Sequence, residues 1–123
     1  FYSIKKNKPI TIFKNGKQTR TFCYVTDAIT AMFLVIIRGN KFVYNIGNDG
    51  PEVNMSILHK NIEKSINKKV KSININYPKN YPQVEPQRRC PDITKIKKEL
   101  NYKGRVSLSD SIRRFYFWSN KYY

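Results

Sequence analysis

A chain of 123 residues with 40% hydrophobic and 14% aromatic residues is long enough for one modest core and too apolar to stay disordered. Its 24 lysines and arginines against 8 acids give a net charge of +16, which raises nucleic acid and anionic membranes as partners. The lysines are scattered singly and in pairs (Lys5-Lys6, Lys68-Lys69, Lys97-Lys98), a distribution that reads as a generally basic, solvated surface and not as a binding stripe.

The chain opens on Phe1 instead of methionine, and residues 1–8 carry neither a signal pattern nor a helix cap, so the sequence reads as a C-terminal fragment of a longer protein. Ile10, Thr11, Ile12 and Phe13 are β-branched or aromatic and predict a strand, and Asn15-Gly16 tolerates positive φ and turns the chain. A second extended run is predicted over residues 21–25. Between the two, Arg20 leaves a turn and enters a strand, where a fixed backbone can aim its planar fork at an anion. Thr26 or Asp27 is expected to cap a helix over residues 27–38. Its apolar run, residues 28–37, is about half of a membrane span and is closed by Arg38 and Gly39, which predicts a buried helix covered on more than one side and no membrane segment.

A short strand is predicted over residues 42–46, ending in the turn cluster Gly47-Asn48-Asp49-Gly50. That spacing does not fit GxGxxG, and the fingerprint occurs nowhere in the chain, so no dinucleotide pyrophosphate can be seated in the usual way. Asn54 caps a predicted amphipathic helix reaching about Asn67, with Leu58, Ile62 and Ile66 four residues apart. Residues 70–77 alternate apolar and polar side chains like a half-buried strand, which Pro78 ends. Four of the six prolines fall in residues 78–91, which predicts a long functional loop carrying Tyr81, Arg88 and Arg89. Asp92 is expected to cap a short helix with Ile93, Ile96 and Leu100 inward. Residues 101–104 break it, and Ser107 to Asp110 form a capping box for the last helix, with Leu108, Ile112 and Phe115 as its inner stripe. The aromatics at 115–118 exceed what one face can bury and are expected to pack on a missing partner.

Cys23 and Cys90 lack CxxC spacing and read as small thiols in a reducing cytoplasm, without disulfide or metal roles, and the single histidine, His59, is given no role. Arg20 and Arg89 come from separate turns. Two guanidinium groups converging on one cleft suit a diphosphate, and with 8 acids for 24 bases, salt-bridge partners are scarce, which favours an anionic ligand.

The segment at residues 16–28, GKQTRTFCYVTDA, resembles the NAD-dependent sugar-nucleotide dehydratases, decarboxylases and epimerases of the extended short-chain dehydrogenase/reductase class. VYNIGN (residues 43–48), PQRRCPDI (86–93) and VSLSDSIRRFYFW (106–118) agree in order and spacing, and the QTR and RRCPD pieces lean towards the UDP-glucuronate decarboxylase branch. The resemblance implies an α/β fold: the C-terminal, substrate-binding portion of an extended Rossmann-type enzyme spanning residues 1–123, with short strands and about four helices, lacking the N-terminal dinucleotide-binding half. It implies a reaction through a 4-keto sugar at an NAD held by that missing half, a UDP-sugar as partner, and a homodimer when complete. Substrate binding is implied for Arg20, on the diphosphate, and for Arg89, on the diphosphate or the reacting sugar. Arg88, Tyr81, Thr11 and Tyr24 rank lower as substrate-binding residues. Two departures are plain. Lys14-Asn15-Gly16 stands where the family commonly has GDG, and Tyr2 to Lys6 matches YxxxK although the family's catalytic pair lies far upstream, so that match is read as coincidence. The fragment alone is expected to be inactive. Two other readings stay open: a small basic nucleic-acid or anion-binding module, and a truncated remnant without catalysis.

Overall fold

A computed structural model describes residues 1–40, 43–81 and 85–122. Its elements, in order, are α1 (Tyr2–Lys5), β1 (Ile10–Phe13), β2 (Thr19–Arg20), α2 (Val25–Arg38), β3 (Val53–Asn54), α3 (Met55–Ile66), β4 (Ser72–Ile75), β5 (Arg88–Arg89), α4 (Thr94–Leu100) and α5 (Leu108–Tyr122). This is the expected α/β arrangement with short strands and one additional single-turn helix, α1. No helix among the described residues is long and apolar enough to cross a membrane.

The strands form two small sheets. In one, β1 runs parallel to β4; in the other, β2 lies between antiparallel β3 and parallel β5. The main core forms where α2 meets α4: Ala31, Ile93, Ile96, Leu100 and Tyr102 are buried together, and Leu34, Val35, Tyr44 and Ile46 pack around them. The predicted caps hold for α3 and α5. Asn54 accepts the Ile57 amide at 2.8 Å, and Ser107 Oγ both accepts the Asp110 amide at 3.0 Å and donates to the Asp110 carboxylate at 2.7 Å. Asp92 accepts the Thr94 amide at 2.9 Å and so starts α4 from one residue outside its N-cap.

Several expectations are corrected. The second extended run pairs only at Thr19 and Arg20, ahead of the predicted residues 21–25, and α2 begins at Val25 with Tyr24 at its N-cap. Neither Thr26 nor Asp27 caps it: both lie in the first turn, and Asp27 turns its carboxylate to the loop before α5. The helix is not buried all round either. Ile29, Met32, Phe33, Ile36 and Ile37 remain exposed because α4 and its neighbours cover only the Ala31 face. The strand predicted over 70–77 shortens to β4, and all four of its residues are exposed; among the described residues β1 is the strand it pairs with. Phe42, at the start of the strand expected over 42–46, lies outside the described residues; Val43 to Ile46 join no ladder.

Candidate functional site

The site is built by the β2–β5 ladder. Thr19 pairs with Arg88 and Arg20 with Arg89 in parallel register. Residues directly opposed in a ladder project to the same side and consecutive residues to opposite sides. Arg20 and Arg89 therefore share one face, and Thr19 and Arg88 share the other. The Arg20/Arg89 face opens into a recess of about 480 Å³, whose other walls include Cys23, Cys90, Gly47 and Asn48. Gly47 is needed there by close approach: a Cβ at this position would stand 2.8 Å from the Pro91 ring. The buried Tyr102 hydroxyl donates to the Gly47 carbonyl at 3.0 Å and holds that loop against the core.

Each arginine is held differently. The Arg20 guanidinium donates to its neighbour's carbonyl, Thr19 O, at 2.7 Å and forms an ion pair with Glu85; both side chains are only 16% exposed. Glu85 also accepts the Tyr81 hydroxyl at 3.2 Å. Burial, and then the Glu85 carboxylate, push the Tyr81 phenol above its ordinary pKa. The Tyr81 ring stacks on Tyr77 at 4.2 Å between centroids. Arg88, on the opposite face, presents Nε to both oxygens of Glu52 at 3.0 Å, and its Nη2 lies 2.9 Å from Oε2. Arg89 is exposed and has no ion pair among the described residues.

The structure thus brings together Arg20 and Arg89 directly, and Tyr81 through Glu85. Arg88 points to the other face. Thr11 lies exposed on β1 in the second sheet, and Tyr24 lines a separate apolar groove with Phe22, Ile112 and Trp118. Of the two arginines expected to lack salt-bridge partners, Arg20 has one in Glu85, and the lower-ranked Arg88 is likewise paired, with Glu52. Sequence reasoning missed both glutamates. The available signal was the scarcity itself: where acids are few, each one close to an arginine-bearing strand is a candidate partner. Cys23 and Cys90 are free thiols, and burial raises the Cys23 pKa. His59, given no role, meets the Val70 carbonyl through Nε2 at 2.7 Å.

A family model described as GDP-mannose 4,6 dehydratase matches residues 2–115. UDP-glucuronic acid decarboxylase 5 of Arabidopsis thaliana is 35% identical over 87% of this chain and 30% of its own length. A UDP-glucuronic acid 4-epimerase from Bacillus cereus, solved in complex with UDP-glucuronic acid and NAD, superposes with a TM-score of 0.85 at 27% identity, covering 98% of this chain and 38% of that one. A dTDP-glucose 4,6-dehydratase from Streptomyces venezuelae, with NAD and TYD bound, has a TM-score of 0.84 at 21% identity over 98% of this chain and 37% of its own, which shows the shared fold. The chain spans about a third of the length of the relatives it matches.

Proposed function

This chain belongs to the GDP-mannose 4,6 dehydratase family of NAD-dependent sugar-nucleotide decarboxylases, epimerases and dehydratases, and from that premise we propose that Arg20 and Arg89 hold the diphosphate of a UDP-sugar in the complete enzyme. The observation that carries the reading is the register: Arg20 and Arg89 are cross-strand partners and line one recess. The exposed Arg89 fork can meet a diphosphate with charge-assisted hydrogen bonds, Arg20 adds the N–H groups that Thr19 and Glu85 leave free, and holding the diphosphate fixes where the attached sugar lies. Glu85 keeps the Arg20 fork on the ladder, while exposed Arg89 offers its full charge. Binding energy collected this far from the reacting carbon serves to orient it. Among the reactions of the family, UDP-glucuronate decarboxylation is favoured by the Arabidopsis relatives. Family membership favours this reading over that of a basic nucleic-acid module.

Isothermal titration of the complete enzyme with UDP tests it. Arg20→Ala and Arg89→Ala should each cost about 1.5 to 3 kcal/mol of affinity, and Arg→Lys should restore only part, because an ammonium cannot form the bidentate contact. Lys68→Ala removes the same charge at an exposed position whose ammonium donates to the Asn7 side chain, and should change almost nothing. Equal small losses at all three sites would sink the proposal.

The loop at residues 47–50 offers NAD no fitting seat. The glycine-bearing loop at residues 47–50 leads into β3, the space beside Gly47 is filled by Pro91, and the N-terminus of the following helix, α3, is closed by Asn54. We therefore expect the 123 residues alone to bind no NADH and to turn over no UDP-sugar, by fluorescence titration and product analysis respectively. Micromolar NADH binding by the isolated chain would refute this.

A further inference from the structure

Glu52 sits immediately before β3, yet its carboxylate reaches across the three-stranded sheet. It accepts a hydrogen bond from the Thr19 hydroxyl on β2 and takes the Arg88 guanidinium on β5 through both oxygens. Thr19 and Arg88 are themselves cross-strand partners, and they are the residues immediately before Arg20 and Arg89. One carboxylate thus grips, from the back, the two backbone positions that present the recess arginines at the front. The grip is needed because β2 and β5 are two residues long, so the ladder alone has few hydrogen bonds with which to hold its register. A slip of one residue would turn Arg88 into the recess and Arg89 out of it. Glu52 is anchored in turn, since β3 pairs antiparallel with β2 and runs directly into α3.

We propose that Glu52 is a positioning residue for the nucleotide diphosphate: by clasping Thr19 and Arg88 it fixes the register that sends Arg20 and Arg89 together into the recess. The inference rests on the diphosphate reading above and adds to it a residue that touches neither the ligand nor the recess.

The test uses the complete enzyme with UDP as probe, reading the dissociation constant by titration and the melting temperature in parallel. Glu52→Gln keeps the size of the side chain and an acceptor for Thr19, but loses the ion pair with Arg88. It should weaken UDP binding about tenfold in the parent enzyme and less than about twofold further in an Arg89→Ala background, while its effect on the melting temperature is the same in both. Arg88→Met breaks the same clasp from the other end; it should give a comparable loss, and Glu52→Gln added to it should cause no more. An equal loss from Glu52→Gln with and without Arg89, or additive losses with Arg88→Met, would mean that Glu52 only stabilises the fold or that Arg88 binds ligand itself, and either overturns the proposal. Where Arg89→Ala weakens UDP binding and Glu52→Gln does not, this inference alone fails; where Arg89→Ala has no effect, the diphosphate reading fails and takes this one with it.

Discussion

Replacing Asp27 by alanine should lower the unfolding free energy of the chain by about 3 kcal/mol, through the loss of two charge-assisted hydrogen bonds at a single oxygen. Asp27 is 7% exposed, and its Oδ2 accepts the backbone amides of Arg105 at 3.0 Å and Val106 at 2.9 Å. Those amides belong to the connection between α4 and α5, so one side chain in the first turn of α2 ties down the approach to the last helix. Alanine would leave both amides without their acceptor, and a half-buried amide denied a partner costs about 1 to 3 kcal/mol. The negative charge also favours the α2 N-terminus by about 0.3 to 1 kcal/mol. Asp27→Asn keeps an acceptor but loses the charge and should cost roughly half as much. Urea unfolding followed by circular dichroism measures both. A loss below 1 kcal/mol for Asp27→Ala, or equal losses for the two variants, would contradict this assignment.

Asp27 also shows where the sequence stopped being legible. An aspartate just ahead of an apolar run satisfies every local rule for an N-cap, and only the tertiary position of residues 105–106, far along the chain, recruits it elsewhere. Elements whose stabilisation is local were readable: β1 from its β-branched run, α3 from Asn54 and its four-residue spacing, α5 from the Ser107–Asp110 box. Burial was less so. The apolar surround of α2 predicts cover on several sides, but pattern alone cannot say which sides are covered, and Ile36 and Ile37 stand 77% and 74% exposed. The alternation in residues 70–77 similarly predicts a half-buried strand only if something packs on it. At the site, Arg20 and Arg89 could be singled out from sequence, whereas their shared register and the Arg20–Glu85 pair depend on residues more than 60 positions apart in the chain, and the Arg88–Glu52 pair on residues 36 apart.

The turn between β1 and β2 offers the sharpest contrast in sign within three residues. Gly16→Ala should destabilise the chain by about 2 to 4 kcal/mol. Gly16 has φ +62°, and a Cβ there would lie 2.8 Å from Ile12 Cγ2 and 3.3 Å from Met55 Cβ. Left-handed backbone costs an L-residue about 1 to 2 kcal/mol, and the forced contact adds about 1 to 3 kcal/mol of overpacking. Neither neighbour yields readily: Ile12 is buried in β1, and Met55 opens α3 with its amide bonded to the Gly16 carbonyl at 3.0 Å. Lys14 also lies in the left-handed region, at φ 52°. Lys14→Gly would relieve about 1 kcal/mol of backbone cost and forfeit about 0.5 kcal/mol from the ammonium poised 4.9 Å over the Tyr77 ring. A net gain of roughly 0.5 kcal/mol is expected, so the two urea midpoints should move in opposite directions from that of the parent chain. Midpoints that fall together would mean that the Lys14 contact, and not its backbone, sets the balance at that end of the turn, and an unmoved Gly16→Ala midpoint would show that β1 and α3 can part to admit a methyl group.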